Sequence, residues 1–195
     1  SGPTMGTYYS VKINAPDLPL DAQKLKFDID EILARLNDQM STYIETSELS
    51  RINQSRLTDW IPVSDDLLTV IEQALVVSRL SDGAFDITVG PLVNLWGFGP
   101  DPATDTVPAD DRIQAALQRV GYQYLQTRHD PPSIKKSRAD LYLDLSGIAE
   151  GYAADVLADY LEGLGIGNYL VDIGGEMKVK GKAVSPAMTL SLSPW

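Results

Sequence analysis

The segment LDLSGIAEGYAAD, residues 143–155, constrains the fold more than any other stretch of this sequence. Its first part continues a strand-like alternation over 140–145, its second part has a helical pattern, and only Ser146-Gly147 separates them. Asp144 therefore ends a predicted strand at the start of a helix, where a phosphate or a hard cation is attracted. The alternative is a structural role for both acids. Asp144 would then cap the helix, and Glu150 would be a first-turn acid that the helix dipole favours.

Apolar spacing elsewhere predicts a mixture of helices and strands without a regular βαβ rhythm, which favours the α+β class in a single domain over 1–195. The helices are predicted over 21–40, 64–83, 108–121 and 148–164. The strands are predicted over 6–13, 140–145, 168–173, 176–181 and 188–193. The segment TSELSRIN also resembles a short capped helix, Gly90-Pro91 a tight turn, and 98–110 an exposed loop.

The charge of the chain excludes several classes of partner. With 27 acidic and 16 basic residues the net charge is −11, so broad binding to nucleic acid or to anionic lipid is not expected. An anionic cofactor would have to be held by backbone N–H groups, a helix start or a metal ion. The chain has no cysteine, which excludes disulfides but fits the cytosol and the periplasm equally. No apolar run approaches the roughly 18 residues of a membrane span.

Three further places combine turn residues with groups that could contact a flat ring. Met5 precedes a glycine at a strand entry, Tyr43 lies in a loop after the first long helix, and Ala84, Phe85 and Asp86 precede Gly90-Pro91. A thioether and an aromatic face suit stacking, and small residues beside an acceptor suit a backbone that approaches a heterocycle. Each also has a plain alternative: a strand entry, a partly buried loop tyrosine, and a hydrophobic plug.

Several familiar catalytic patterns are missing from the sequence. It contains no G-x-G-x-x-G after a strand, no phosphate-binding P-loop and no H-E-x-x-H. The one histidine, His129, lies in a proline turn and is expected to be exposed. These features disfavour a Ser-His-Asp hydrolase.

Four segments, in this order and spacing, resemble the FAD:protein FMN transferases of the ApbE family. They are MGTYYSVKI, MSTYIETSELSRIN, GAFDITVGPLVNLWGFG and LDLSGIAEGYAADVLADYLEGLGIGNYLVDIGGEMKVKG. The resemblance covers about residues 3–181, whereas 182–195 does not follow the family pattern. It implies an ApbE-like, T-fold-like α+β domain, here without the family's C-terminal part.

The resemblance also implies roles for individual residues. Met5, Tyr43, Ala84, Phe85, Asp86, Asp144 and Glu150 would contact FAD. Asp144 would also be catalytic, and the carbonyl of Gly147 would ligate Mg²⁺. The position of Glu150 is Lys in many relatives, so its identity matters less. Gly174, Gly175 and Glu176 match the family's GGE hairpin.

The reaction implied by the resemblance transfers the FMN half of FAD to a Ser or Thr of a target flavoprotein subunit and releases AMP. Two alternatives stay open: hydrolysis of FAD to FMN and AMP, and non-catalytic FAD binding, since the family's C-terminal metal ligands are absent here. The implied compartment is the periplasm, with a possible inner-membrane lipid anchor in the full-length precursor. A homodimer is left open.

Overall fold

The computed structural model describes residues 1–100 and 106–182. Its helices are α1 (Ala22–Met40), α2 (Glu48–Gln54), α3 (Asp65–Leu80), α4 (Gly90–Leu95), α5 (Asp110–Leu117) and α6 (Ala149–Gly163). Its strands are β1 (Gly2–Thr4), β2 (Thr7–Ile13), β3 (Trp60–Pro62), β4 (Leu125–His129), β5 (Pro132–Lys136), β6 (Tyr169–Ile173) and β7 (Glu176–Lys180). Within the described residues no helix combines the length and apolar composition needed to cross a bilayer.

The starts of α1, α2 and α3 follow from capping side chains in the sequence. The Asp21 carboxylate accepts hydrogen bonds from the backbone N–H groups of Gln23 and Lys24 at the start of α1. Ser47 and Ser64 cap α2 and α3 through their hydroxyl groups. Because each cap satisfies N–H groups that the helix itself leaves unpaired, the helices begin where the sequence predicts.

Two antiparallel sheets flank the helices. The larger has the strand order β1-β2-β6-β7, with Tyr9 opposite Ile173 and Val11 opposite Val171. The smaller has the order β3-β5-β4. Helix α6 packs on β6 and β7 and against α1, so that its alanine-rich face lies in one continuous core with α1, α3 and both sheets.

The predicted strand over 140–145 is wrong in one respect. Leu141, Leu143 and Leu145 are buried as the alternation requires, but the segment belongs to neither sheet. Its partners are the side-chain amide of Asn53, which bonds both backbone groups of Leu143, and the carbonyl of Ile87, which accepts from the N–H of Asp144. A side chain thus takes the place of a neighbouring strand.

Two other sequence predictions change in the structure. Gly90-Pro91 begins helix α4 instead of forming a tight turn, with Pro91 in the first turn where its missing N–H costs nothing. A Cβ atom at Gly90 would lie 2.2 Å from Cδ1 of Tyr142, so this helix start requires glycine. The predicted strand 188–193 and residues 101–105 of the predicted loop lie outside the described residues, whereas Phe98 and Val107 of that loop are exposed as expected.

Candidate functional site

A cleft of about 680 Å³ lies between the β1–β2 turn, the loop after α1 and the start of α6. We call it the first cleft. Met5 and Gly6 line it on one side, Ser41–Ile44 on another, and Ser146, Ala149 and Glu150 close it at the helix start. No Lys or Arg is among the described residues that line it. An anion bound there would therefore have to be neutralised by the helix start or by a cation.

Met5 reaches the first cleft because of the turn that precedes β2. Thr4 pairs with Thr7, which leaves Met5-Gly6 as a two-residue connection, and both residues have positive φ angles of 46° and 75°. That conformation matches a tight hairpin turn in which glycine is favoured at the second position. The thioether of Met5 is consequently held at the rim of the cleft by a short, stiff hairpin.

Tyr43 and Phe98 form an aromatic wall of the same cleft. Their side chains are 65% and 75% exposed. The Tyr43 hydroxyl donates a hydrogen bond to the Phe98 carbonyl oxygen at 2.7 Å, which joins the loop after α1 to the loop after α4. Ser41 fixes the Tyr43 loop by accepting from the backbone N–H groups of Tyr43 and Ile44. Phe98, which the sequence did not single out for a site, lies beside the predicted Tyr43.

The turn between Leu145 and α6 presents exposed backbone toward both sides of the helix start. Asp144 is only 7% exposed, and its Oδ1 accepts from the N–H of Ser146 at 2.8 Å. The helix itself begins after Ile148 and has no side-chain cap. The capping alternative for Asp144 is therefore wrong, since its carboxylate closes the preceding turn instead, while Ser146 and Gly147 stay exposed.

A second cleft, of about 400 Å³, opens on the other side of Glu150. Gly147, Glu150, Tyr152 and Glu176 are among its lining residues, so Glu150 is shared between the two clefts. Burial raises the pKa of the Glu150 carboxyl, and the nearby Glu176 and Asp144 raise it further. Three carboxylates thus meet at one end of α6, and none has a Lys or Arg partner in the described part of the chain.

Phe85 lies against this turn, whereas Asp86 bonds residues away from it. The Phe85 ring packs close to the turn. A Cβ atom placed on Gly147 would lie 3.3 Å from Cε2 of Phe85. The Asp86 carboxylate accepts from the N–H and hydroxyl of Thr88 and from the N–H of Tyr122. Neither Asp86 nor the exposed Ala84 lines either cleft, so the predicted contacts of Ala84, Phe85 and Asp86 with FAD stay predictions.

His129 and the exposed acids of α6 lie outside the first cleft. His129 is exposed at the end of β4, lines neither cleft, and has its Nε2 3.1 Å from Oε1 of Glu72. Asp155 and Asp159 lie on the exposed face of α6. Within the described residues no group of three or more His, Cys, Asp or Glu side chains is arranged to hold a metal ion unaided.

The fold agrees with comparisons to known proteins. The sequence matches the model of the ApbE family over residues 5–195, and the chain belongs to that family. It is 47% identical over 182 residues to a protein of Vibrio cholerae named FAD:protein FMN transferase, covering 93% of this chain and 54% of that one.

Solved structures show the same relationship. The flavin transferase ApbE of Vibrio cholerae superposes with a TM-score of 0.88 at 46% identity, covering 93% of this chain and 58% of that one. The apo form of Pseudomonas stutzeri flavinyl transferase ApbE gives a TM-score of 0.84 at 39% identity, covering 93% and 57%. The predicted α+β, ApbE-like fold is confirmed, and the chain spans about half the length of the curated relatives it matches.

Proposed function

We propose that the chain binds FAD in the first cleft and, with Mg²⁺, serves the transfer of the FMN half of FAD to a Ser or Thr hydroxyl of a target flavoprotein, with release of AMP. The observation that carries the proposal is the position of the first cleft, which ends at the exposed start of α6. Its volume of about 680 Å³ lies within the range of small-molecule sites. The relatives named FAD:protein FMN transferase support the same substrate.

The residues around the turn fit a divalent cation that is completed by its substrate. The exposed turn at Gly147 offers a backbone carbonyl, and Asp144 has a carboxylate oxygen that no described residue bonds. Mg²⁺ prefers such oxygen donors and commonly keeps waters while binding one or two carboxylates and substrate phosphates. A bound Mg²⁺ would supply charge neutralisation at the pyrophosphate.

The chain's own residues would bind and orient FAD. In transfer, a bond forms between the acceptor oxygen and the FMN phosphorus, the bond from that phosphorus to the bridging oxygen breaks so that AMP leaves with this oxygen, and the proton of the acceptor hydroxyl passes to solvent. The Tyr43–Phe98 wall and Met5 offer surfaces for stacking, and the start of α6, which has no side-chain cap, favours a phosphate. Exclusion of water from the attacked phosphorus then decides between transfer and hydrolysis.

The test mixes the protein with FAD, Mg²⁺ and a Ser- or Thr-containing peptide from a flavoprotein subunit, with the Ala-substituted peptide as control. Flavin fluorescence covalently attached to the first peptide alone, together with AMP, is the expected result. Free FMN and AMP without labelled peptide would replace transfer by hydrolysis. FAD binding without either product would contradict catalysis by this chain.

Two exposed tyrosines provide a matched test of the binding site. Tyr43 lines the first cleft, whereas Tyr8 is similarly exposed on β2 and does not. We expect Tyr43→Ala to weaken FAD binding about tenfold, because a base or ring stacked on an aromatic contributes about 1–3 kcal/mol. Tyr8→Ala should leave the dissociation constant unchanged. Equal effects of the two substitutions would place FAD elsewhere.

The compartment and the partner are proposed from the resemblance alone. We propose that the chain works in the periplasm on a subunit of a redox complex, from a precursor that is lipid-anchored. Fractionation of cells that produce the full-length precursor, with and without globomycin-type inhibition of lipoprotein processing, tests this. Recovery of the mature protein in the cytosol would contradict it.

A further inference from the structure

We propose that Asn53 and Lys136 act as positioning residues, which hold the segment 141–145 and, with it, the turn at Ser146 and Gly147 that lines the clefts. This inference rests on the proposed function, because it concerns the same turn. Neither residue lines either cleft, and neither was singled out by the sequence. We call the two side chains the clamp.

Asn53 replaces a strand partner for the segment. Its Oδ1 accepts from the N–H of Leu143 and its Nδ2 donates to the carbonyl of Leu143, both at 2.8 Å. A side-chain amide is suited to this because it offers one acceptor and two donors in one plane. Asn53 lies in the last turn of α2, so the amide ties the segment to a helix that is itself capped by Ser47. The position of Leu143 is thereby fixed from both backbone groups.

Lys136 fastens the same segment from β5. Its side chain is fully buried, and Nζ donates to the carbonyls of Ile52, Ser55 and Leu141 at 2.8, 2.6 and 3.5 Å. The first two carbonyls belong to the end of α2, and the third belongs to the segment. All three ammonium donors are therefore used, although no carboxylate is bonded to Lys136 in the described residues.

The burial of Lys136 is expensive, which argues that its hydrogen bonds matter. Burial in the core lowers the pKa of its ammonium group. A buried charge is often replaced by an apolar side chain of similar volume without loss of stability. An apolar side chain would fill the same space at a lower cost. Lys136 instead joins three separate carbonyl groups through its ammonium group.

The clamp restrains the position of Asp144 through hydrogen bonds to neighbouring backbone groups. Leu141 and Leu143 are held by the clamp, the N–H of Asp144 donates to Ile87 at 2.7 Å, and the Asp144 carboxylate then closes the turn at Ser146. Hydrogen bonds therefore fix the backbone at Leu141, Leu143 and Asp144, which leaves little freedom for the Asp144 carboxylate. Ligand groups that are preorganised in this way bind more tightly because less order is lost on binding.

The experiment compares Asn53→Ala and Lys136→Met with Ile134→Ala in the full chain. Ile134 is also fully buried in β5, but it makes no bond to the segment. Two quantities are measured for each variant: amide hydrogen exchange of residues 143 and 144, and the dissociation constant for FAD with Mg²⁺. Lys136→Met is informative because it keeps the volume of the side chain and removes only the donors.

We expect both clamp variants to speed exchange at residues 143 and 144 and to weaken FAD binding about tenfold, as substitutions behind a site commonly do. Ile134→Ala should lower global stability while leaving the FAD dissociation constant within about twofold of the wild type. Unchanged local exchange in both clamp variants, or faster exchange with unchanged FAD affinity, would overturn the proposal. If the wild type binds no FAD, the proposed function fails, and the exchange data still decide whether the clamp holds the turn.

Discussion

Acidic side chains at the two ends of helix α6 differ in whether they have a basic partner. At its start, which we call the acidic end, Asp144, Glu150 and Glu176 lie near one another without a basic partner in the described residues. Toward its end, which we call the paired end, Glu162 accepts from Lys180 at 2.5 Å and from the Tyr169 hydroxyl at 2.6 Å. One helix therefore carries unpaired and paired carboxylates only a few turns apart.

The electrostatic consequences at the two ends have opposite signs. Burial and neighbouring acids raise the pKa of Glu150, whereas the hydrogen bonds from Lys180 and Tyr169 lower the pKa of Glu162. The paired end thus stabilises the ionised carboxylate, and the acidic end disfavours it. Glu162 joins α6 to β7 through Lys180, whereas Glu150 and Glu176 line the second cleft without a basic partner among the described residues.

The largest expected effect is the loss of ligand binding when Asp144 is removed. Its side chain makes one hydrogen bond within the described residues, to the N–H of Ser146, so Asp144→Ala should fold. We expect FAD with Mg²⁺ to bind about ten- to a hundredfold more weakly, because a charged hydrogen-bonding partner is worth about 1.5–3 kcal/mol. Calorimetric titration at saturating Mg²⁺ measures the change.

Asp144→Asn is the matched control, because it keeps an acceptor for Ser146 and removes the charge. It should resemble Asp144→Ala in FAD binding and the wild type in stability. If Asp144→Ala unfolds the chain while the folded fraction binds FAD normally, the carboxylate at the acidic end is structural, and the contrast between the two ends disappears.

At the paired end the expected effect is on stability alone. The Tyr160 hydroxyl donates to Asp28 at 2.6 Å and so joins α6 to α1. Tyr160→Phe should lower the free energy of unfolding by about 1 kcal/mol, the usual worth of such a bond. Urea denaturation measures this, with the exposed Tyr8→Phe as control. A change in FAD affinity in Tyr160→Phe would show that the two ends are not independent.

The hydrogen bonds of the paired end should also make the stability of the chain depend on alkaline pH. Burial and the bond to Asp28 raise the pKa of Tyr160 to about 12, and burial and the bond to Glu162 raise the pKa of Tyr169 to about 12. Free tyrosine ionises near pH 10. The stability from these hydroxyls is therefore complete below about pH 10 and is lost as the pH rises toward about 12. Tyr160→Phe should show a shallower alkaline decline, and an unchanged slope would contradict this assignment.

The long helices of this fold were predictable because their information is local. Residues 21–40 carry a helical apolar period together with Asp21 as a cap, and α1 begins and ends accordingly. The same holds for Ser64 and α3 and for the hairpin around Gly174-Gly175. Short strands such as β3 and β5 were missed, since each has few residues and pairs with distant parts of the chain.

The site was predictable only in part. Met5 and Tyr43 were singled out by residue type beside turns and Glu150 by the family resemblance, and the fold brings all three to the first cleft. The clamp was invisible, because Asn53 bonds a residue 90 positions away and Lys136 bonds one 84 positions away. A lysine in a strand pattern normally indicates an exposed face, so no local signal separates Lys136 from its exposed counterparts.

The smallest expected effects come from neutralising one carboxylate at each end of α6 and comparing the two changes in thermal stability. Glu150→Gln keeps the side-chain shape and removes a charge that burial, Glu176 and Asp144 all disfavour, so the thermal unfolding midpoint at pH 7 should rise slightly. Glu162→Gln removes a charge that Lys180 and Tyr169 stabilise, so its midpoint should fall. Differential scanning calorimetry on both variants compares the signs. If both midpoints move in the same direction, the carboxylates at the two ends of α6 lie in equivalent environments, and the acidic end has no excess of unpaired negative charge to offer a cation.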